Sequence, residues 1–289
     1  MLSGLFFNVY INSLIEKISS IKVGCRLGYV QSNIIAYADD IVLLSPSRAG
    51  LQLLINEIVR EADILKLDFN NDKSKCMIFN EKKHKSNTVT LNINGNPLEF
   101  VSSIKYLGYF ISCDLSNKED VKRARNKFYY DFNVLLREFG YTNISVKLFL
   151  FKQYCLQFYG PDLWDNNRGI LGSLKVFSIG YHKCLKKLLG LSMHESNHFA
   201  CQEARLLTFD HLINKLKIAF VFRILMKKFD FFNKVFSYLS ITSVFLKNVN
   251  SILRKSYDCG SILENDIDAI MARICFVQNH EEQMRLAIA

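Results

Sequence analysis

Proline is scarce in this chain. Three prolines and thirteen glycines serve 289 residues, which excludes proline-rich linkers, collagen-like repeats and low-complexity disorder. Long apolar runs are missing too. The nearest, Ile218 to Met226, is interrupted by Arg223 and flanked by Lys217 and Lys227, so no membrane-spanning helix is predicted. Cysteines are present but unpaired in sequence. Cys25, Cys76, Cys113, Cys155, Cys184, Cys201, Cys259 and Cys275 are scattered, with no C-x-x-C among them. They read as reduced thiols of an intracellular protein without a disulfide-linked partner, and nothing separates cytoplasm from nucleus. Acids are outnumbered, 27 to 37 basic residues, for a net charge of +10. That balance favours a polyanion, either nucleic acid or an anionic membrane face, without choosing between them.

Apolar side chains are plentiful. The chain is 49% hydrophobic, with 23 Phe and 13 Tyr, enough to build a core in one large domain or two. Leu5, Phe6, Val9, Tyr10, Leu14, Ile15 and Ile18 recur at helical spacing over residues 2–21. Val23 to Tyr29 and Ile34 to Leu44 read as strands. Leu51, Leu54, Ile55, Ile58, Ala62 and Leu65 stripe a helix over 51–67. Asn70 to Ser74 is a polar turn and Lys75 to Phe79 a short strand. Asn94-Gly95, between Val89–Ile93 and Pro97–Phe100, is a strong hairpin signal. Ser103 to Ser112 reads as one further strand.

From about Asp114 strand signals give way to helical periods. Val121, Ala124, Phe128, Phe132, Leu135 and Phe139 form one stripe. Further helices fit 146–158, 171–189, 198–207 and 210–229, and Phe231 to Ala289 reads as mixed short helices. The expected class is α+β with antiparallel pairing, followed by an all-α region. The expected divisions are 1–114, 115–230 and 231–289.

The most informative stretch is Ile34-Ile35-Ala36-Tyr37-Ala38-Asp39-Asp40-Ile41-Val42-Leu43-Leu44. Two short runs rich in β-branched residues read as buried strands, and two adjacent acids lie between them. Adjacent charges are costly inside an apolar pocket. At a hairpin tip they can reach solvent and a divalent cation, or simply form a connecting turn. Two acids alone do not run two-metal chemistry, which holds ions roughly 4 Å apart. A third is needed, and Asp63, Asp68, Asp72 and Asp114 are the acids within reach in sequence.

Tyr37-Ala38-Asp39-Asp40 resembles the catalytic YADD signature of reverse transcriptases. Its neighbours keep the family order. Met1-Leu2-Ser3-Gly4-Leu5-Phe6-Phe7-Asn8-Val9-Tyr10-Ile11 resembles the upstream segment. Leu65 to Phe79, with Lys73, resembles the helix-to-strand motif that follows. Ser103-Ile104-Lys105-Tyr106-Leu107-Gly108-Tyr109 resembles the YLG strand that grips the primer. The flavour is that of non-LTR, LINE-type retrotransposon enzymes, with a partial palm to residue 114 and a thumb-like helical region after it.

The resemblance implies a parent reaction: addition of dNTPs to a DNA primer 3′-OH on an RNA template, with Mg²⁺ or Mn²⁺. Asp39 and Asp40 would hold the metal. Tyr37 would lie near the primer end and incoming nucleotide. Lys73 would be a general acid or phosphate contact, against the plain alternative of a solvated loop lysine. Leu107 and Gly108 would position the primer. Lys118, Lys122 and Arg125, on a helix face away from the apolar stripe, would hold the nucleic-acid backbone. The alternative is a wet face balanced by Glu119 and Asp120.

There are departures from the family pattern. The family's first catalytic aspartate and its fingers would precede Met1, the Gln-Gly before Leu2 is missing, and Gly4 stands where proline is usual. The expectation is an N-terminally truncated fragment, inactive as a polymerase on its own, whose acid hairpin presents an unpaired edge. A non-catalytic nucleic-acid-binding remnant and a functionless relic are the alternatives. His194, His198 and Cys201 resemble a metal set in residue type but not in spacing. The Phe-rich run from Phe220 to Phe245 reads as packing surface more readily than as a membrane-surface helix.

Overall fold

The computed structural model describes residues 2–27, 29–79, 90–164 and 171–226. The expected segment 231–289 lies outside them. The fold is α+β, with two helices and short strand pairs up to Ser112 and helices after it. It divides into two compact units, one running to Ile104 and one from Lys105 to Phe229.

The first unit opens with helix α1 (Leu2–Ser20). Strands β1 (Arg26–Leu27) and β2 (Val30–Gln31) form a small antiparallel pair. Strands β3 (Ile34–Tyr37) and β4 (Asp40–Leu43) form the acid-bearing hairpin. Helix α2 (Arg48–Ile64) follows, starting three residues earlier than its apolar stripe predicts. Ser47 explains the earlier start, because its hydroxyl accepts from the Gly50 N–H and caps the first turn.

Leu14 and Ile18 of α1 and Leu54, Ile58 and Ala62 of α2 enclose one core, and Ile34, Ile41 and Leu43 of the hairpin pack on it. The α1 stripe is corrected at its N-terminal end. Ile11 is buried, whereas Phe6, Val9 and Tyr10 are exposed, and the core formed with α2 and the hairpin takes Leu14 and Ile18 from the later turns.

Beyond α2, strand β5 (Lys75–Cys76) lies beside β8 (Glu99–Phe100) in parallel. This corrects the expectation of purely antiparallel pairing, and Lys75 Nζ meets Glu99 across the pair at 2.5 Å. Strands β6 (Asn92–Ile93) and β7 (Asn96–Pro97) form the expected hairpin. Asn94 and Gly95 both take left-handed φ, +50° and +78°, as the favoured two-residue turn demands.

Residues 103–112 are not one strand. They form β9 (Ser103–Tyr106) and β10 (Tyr109–Ser112), paired across a two-residue turn at Leu107-Gly108. Leu107 (φ +46°) and Gly108 (φ +81°) are both left-handed, and Gly108 is the single letter in the sequence that hints at the reversal.

The second unit is helical: α3 (Lys118–Phe139), α4 (Ile144–Leu150), α5 (Leu171–Leu189), α6 (Asn197–Glu203) and α7 (Phe209–Met226). A π-helical turn (Phe151–Cys155) continues α4, and a 3₁₀ turn (Pro161–Leu163) precedes Trp164. The α3 stripe is buried as predicted except Phe139. Phe128 sits at the centre of an aromatic core, with ring centroids 5.5 Å from Phe177 and 6.0 Å from Phe151. Burial pushes the thiols of Cys155 and Cys184 up to about 12 and that of Cys201 to about 11, so these cysteines behave as small apolar side chains. Among the described residues no helix is long and apolar enough to cross a membrane.

Candidate functional site

The register of the acid hairpin decides what each residue faces. Ile34 pairs with Leu43, Ile35 with Val42, Ala36 with Ile41 and Tyr37 with Asp40. Paired residues share a face, and faces alternate along each strand. Ile34, Ala36, Ile41 and Leu43 therefore share the face packed on α1 and α2. Ile35, Tyr37, Asp40 and Val42 share the other. That face is open: Ile35 is 48% and Tyr37 64% exposed. The expectation of two buried strands is corrected accordingly, because helices cover only one side of this pair. Among the described residues β3 and β4 pair in a sheet only with each other.

The turn itself is Ala38-Asp39. Ala38 has φ +51°, a conformation that costs an L-residue of order 1 kcal/mol or more. Asp39 sits exposed at the tip and Asp40 exposed at the start of β4, directly across from Tyr37. The structure thus brings Tyr37, Asp39 and Asp40 together on one exposed edge.

It does not add a third acid. Among the described residues no group of three His, Cys, Asp or Glu is placed to hold a metal ion. Asp63, Asp68 and Asp72 are exposed but do not join the pair, and Asp114, also exposed, belongs to the second unit. Lys73 lies in the turn after α2, where its N–H donates to Asn70 Oδ1 at 3.0 Å and its side chain is exposed. His194 and His198 are exposed, whereas Cys201 is buried with its Sγ donating to the Leu207 carbonyl at 3.7 Å.

The base of the hairpin depends on a residue that the sequence does not single out. Asn33 is 1% exposed. Its Nδ2 donates to the carbonyls of Ile18 (2.8 Å), Ile21 (3.2 Å) and Val23 (3.2 Å). Its own carbonyl accepts from the Leu44 N–H at 2.8 Å. One side chain therefore closes the C-terminal end of α1 and fixes where the hairpin starts.

In the second unit, Lys118, Lys122 and Arg125 do gather. With Glu119, Val121 and Ser173 of α5 they line a depression of about 220 Å³. Lys118 and Lys122 are exposed, and Arg125 is half-buried with its Nε free of hydrogen-bond partners. The alternative, a wet face balanced by Glu119 and Asp120, does not hold for Asp120. Asp120 is fully buried. Its Oδ1 accepts from Arg123 Nε (2.7 Å) and the Phe110 N–H (3.2 Å), and its Oδ2 from Trp164 Nε1 (2.8 Å). An acid in the first turn of α3 reads as a dipole complement, and only the partners brought by folding reveal it as a hub.

Leu107 and Gly108 occupy the tip of the β9–β10 hairpin, which is anchored on the same unit. Tyr159 donates its hydroxyl to the Leu107 carbonyl at 2.7 Å, and Tyr109 donates to Asn117 Oδ1 at 2.9 Å. Burial, then the Asp120 and Asp162 carboxylates, hold the Tyr109 phenol well above its ordinary range, so it stays a neutral donor.

Comparison with known proteins bears chiefly on the N-terminal part of the chain. Residues 1–111 match the family described as reverse transcriptase (RNA-dependent DNA polymerase). The retrovirus-related Pol polyprotein from type-2 retrotransposable element R2DM of Drosophila melanogaster is 35% identical over 72 residues. Those residues are 25% of this chain and 7% of that polyprotein. Residues 1–111 are thus similar to reverse transcriptases, and a quarter of the chain is similar to a short part of a retrotransposon Pol polyprotein.

Proposed function

We propose that this chain binds template–primer nucleic acid and carries the catalytic hairpin of a reverse transcriptase without extending primers by itself. The observation that carries the reading is the cross-strand pair of Tyr37 and Asp40 beside Asp39, on the open face of a hairpin within the matched segment. Carboxylates so exposed are free to meet a cation and a substrate phosphate rather than to serve the core.

The donors suit a divalent metal in type. Asp39 and Asp40 supply hard carboxylate oxygens, the ligands that Mg²⁺ and Mn²⁺ take. They do not suit a two-metal centre in number, since no third acid joins them among the described residues. No catalytic step is assigned to this set alone. In the full reaction Asp39 and Asp40 would be metal ligands, Tyr37 would pack near the primer end and dNTP, and Lys73 would meet a phosphate.

Binding needs no metal centre. Lys118, Lys122 and Arg125 present three positive charges along one depression, and such a row grips phosphates without reading sequence. Leu107 and Gly108 present backbone at a hairpin tip, the part suited to positioning a primer strand. The reading is tested by titrating the chain into a labelled RNA–DNA template–primer at rising salt. Binding that weakens steeply with salt supports it. Absence of binding at low salt contradicts it.

A further inference from the structure

We propose that Tyr159 is a positioning residue for the Leu107–Gly108 tip, setting the geometry in which that tip meets a primer end. The inference rests on the reading of that tip as a primer-positioning element and adds the residue that holds it.

The tip cannot hold its shape through local preference. Leu107 has φ +46°, which a γ-branched L-residue adopts at a cost. Something outside the turn must over-determine it. Tyr159 does so twice. Its hydroxyl donates to the Leu107 carbonyl at 2.7 Å across 52 residues. Its ring lies against Gly108, where an added Cβ would come 3.2 Å from Tyr159 Cε1.

Tyr159 is itself fixed by its main chain. Arg123 Nη2 donates to the Tyr159 carbonyl at 2.9 Å, while Arg123 Nε donates to the buried Asp120 at 2.7 Å. Asp120 also accepts from the Phe110 N–H, two residues beyond the tip. One buried carboxylate thus references both sides of the same element: the strand leaving the turn, and the tyrosine that clamps it. A guanidinium suits this bridging role because its planar fork donates in two directions at once. Tyr159 remains 58% exposed, so its hydroxyl contributes little to the core and much to where the tip sits.

The test uses the full chain, the Tyr159→Phe variant and the Arg123→Lys variant, with two readouts. Hydrogen exchange of the 103–112 segment reads tip order without any ligand. Affinities for a recessed-3′-end RNA–DNA template–primer and for a blunt duplex of equal length read positioning. Tyr159→Phe keeps the ring and the thermal midpoint, accelerates exchange in 103–112, and loses 3- to 10-fold in preference for the recessed end with blunt-duplex affinity unchanged. Arg123→Lys accelerates the same exchange. Unchanged exchange in Tyr159→Phe overturns the inference. So does an unchanged end preference when the wild type binds. A wild type that binds neither duplex overturns the nucleic-acid reading instead, and exchange alone then decides the role of Tyr159.

Discussion

Trp164 donates its indole Nε1 to Oδ2 of Asp120 at 2.8 Å, joining residues 44 apart in a site where neither side chain is exposed. Trp164 is the chain's one tryptophan, so its fluorescence reports on this unit directly. Asp120→Ala leaves Arg123, the Phe110 N–H and the indole N–H without their acceptor. Removing one partner of a buried ion pair costs ~3–5 kcal/mol. Urea unfolding followed at Trp164 should show a loss of that size, with a red-shifted native spectrum. A loss under about 1 kcal/mol would mean that solvent or relaxation supplies the missing acceptor.

The helical unit should weaken in mild acid. His182 is buried against Tyr181, and its Nδ1 lies 2.7 Å from the Ser178 carbonyl. That carbonyl only accepts, so Nδ1 carries the proton and Nε2, which is buried without a partner, does not. Burial holds the imidazole below its ordinary range, and Lys186 adds to this, while the Ser178 bond and Asp210 oppose it. The folded pKa lies below the unfolded one. Stability is therefore full above the unfolded value of about 6.5 and falls as pH drops through it, because the unfolded chain then takes up a proton that the folded chain refuses. Urea midpoints at pH 8 and pH 5.5 should differ, and His182→Gln should shrink the difference.

Two glycines with positive φ should respond unequally to alanine. Gly24 has φ +110°, and a Cβ there would fall 2.4 Å from Asn33 Cβ and 2.8 Å from the Leu44 carbonyl. Gly95 has φ +78° with open space around it. Gly95→Ala should cost about 1 kcal/mol for backbone strain alone. Gly24→Ala should cost clearly more, since it displaces the asparagine that seats α1 and the acid hairpin. Thermal melts of the two variants make the comparison. Equal losses would show that Asn33 moves aside freely.

The basic depression predicts a salt signature. Each phosphate neutralised by Lys or Arg contributes roughly −0.9 to the slope of log K against log salt on duplex. Replacing Lys118, Lys122 and Arg125 by alanine should therefore flatten that slope by about 2–3. Replacing exposed Lys183 and Lys187 on α5 together with exposed Lys215 on α7 by alanine is the charge-matched control.

Much of this architecture is legible in the sequence, and the exceptions have physical causes. Helical stripes located α2, α3 and α5 because each buries one face against a core. Asn94-Gly95 announced its turn through residues that take left-handed φ readily. Leu107 did not, since its left-handed backbone is held by Tyr159, far along the chain, and the segment therefore read as one strand. Tyr37-Ala38-Asp39-Asp40 was found by motif, but the open face of its hairpin followed only from the register. Asn33 went unread, and Asp120 read only as a surface charge, for one shared reason. Their importance lies in partners that chain folding delivers, and a lone Asp or Asn carries no mark of burial.

Primer extension on poly(rA)/oligo(dT) with Mg²⁺ and dTTP, comparing the wild type with Asp39→Ala, tests the central claim most directly. The account predicts template–primer binding by both and extension by neither, because no third acid joins the two carboxylates among the described residues. Extension by the wild type that disappears in Asp39→Ala would contradict it and show that the chain completes the site by itself.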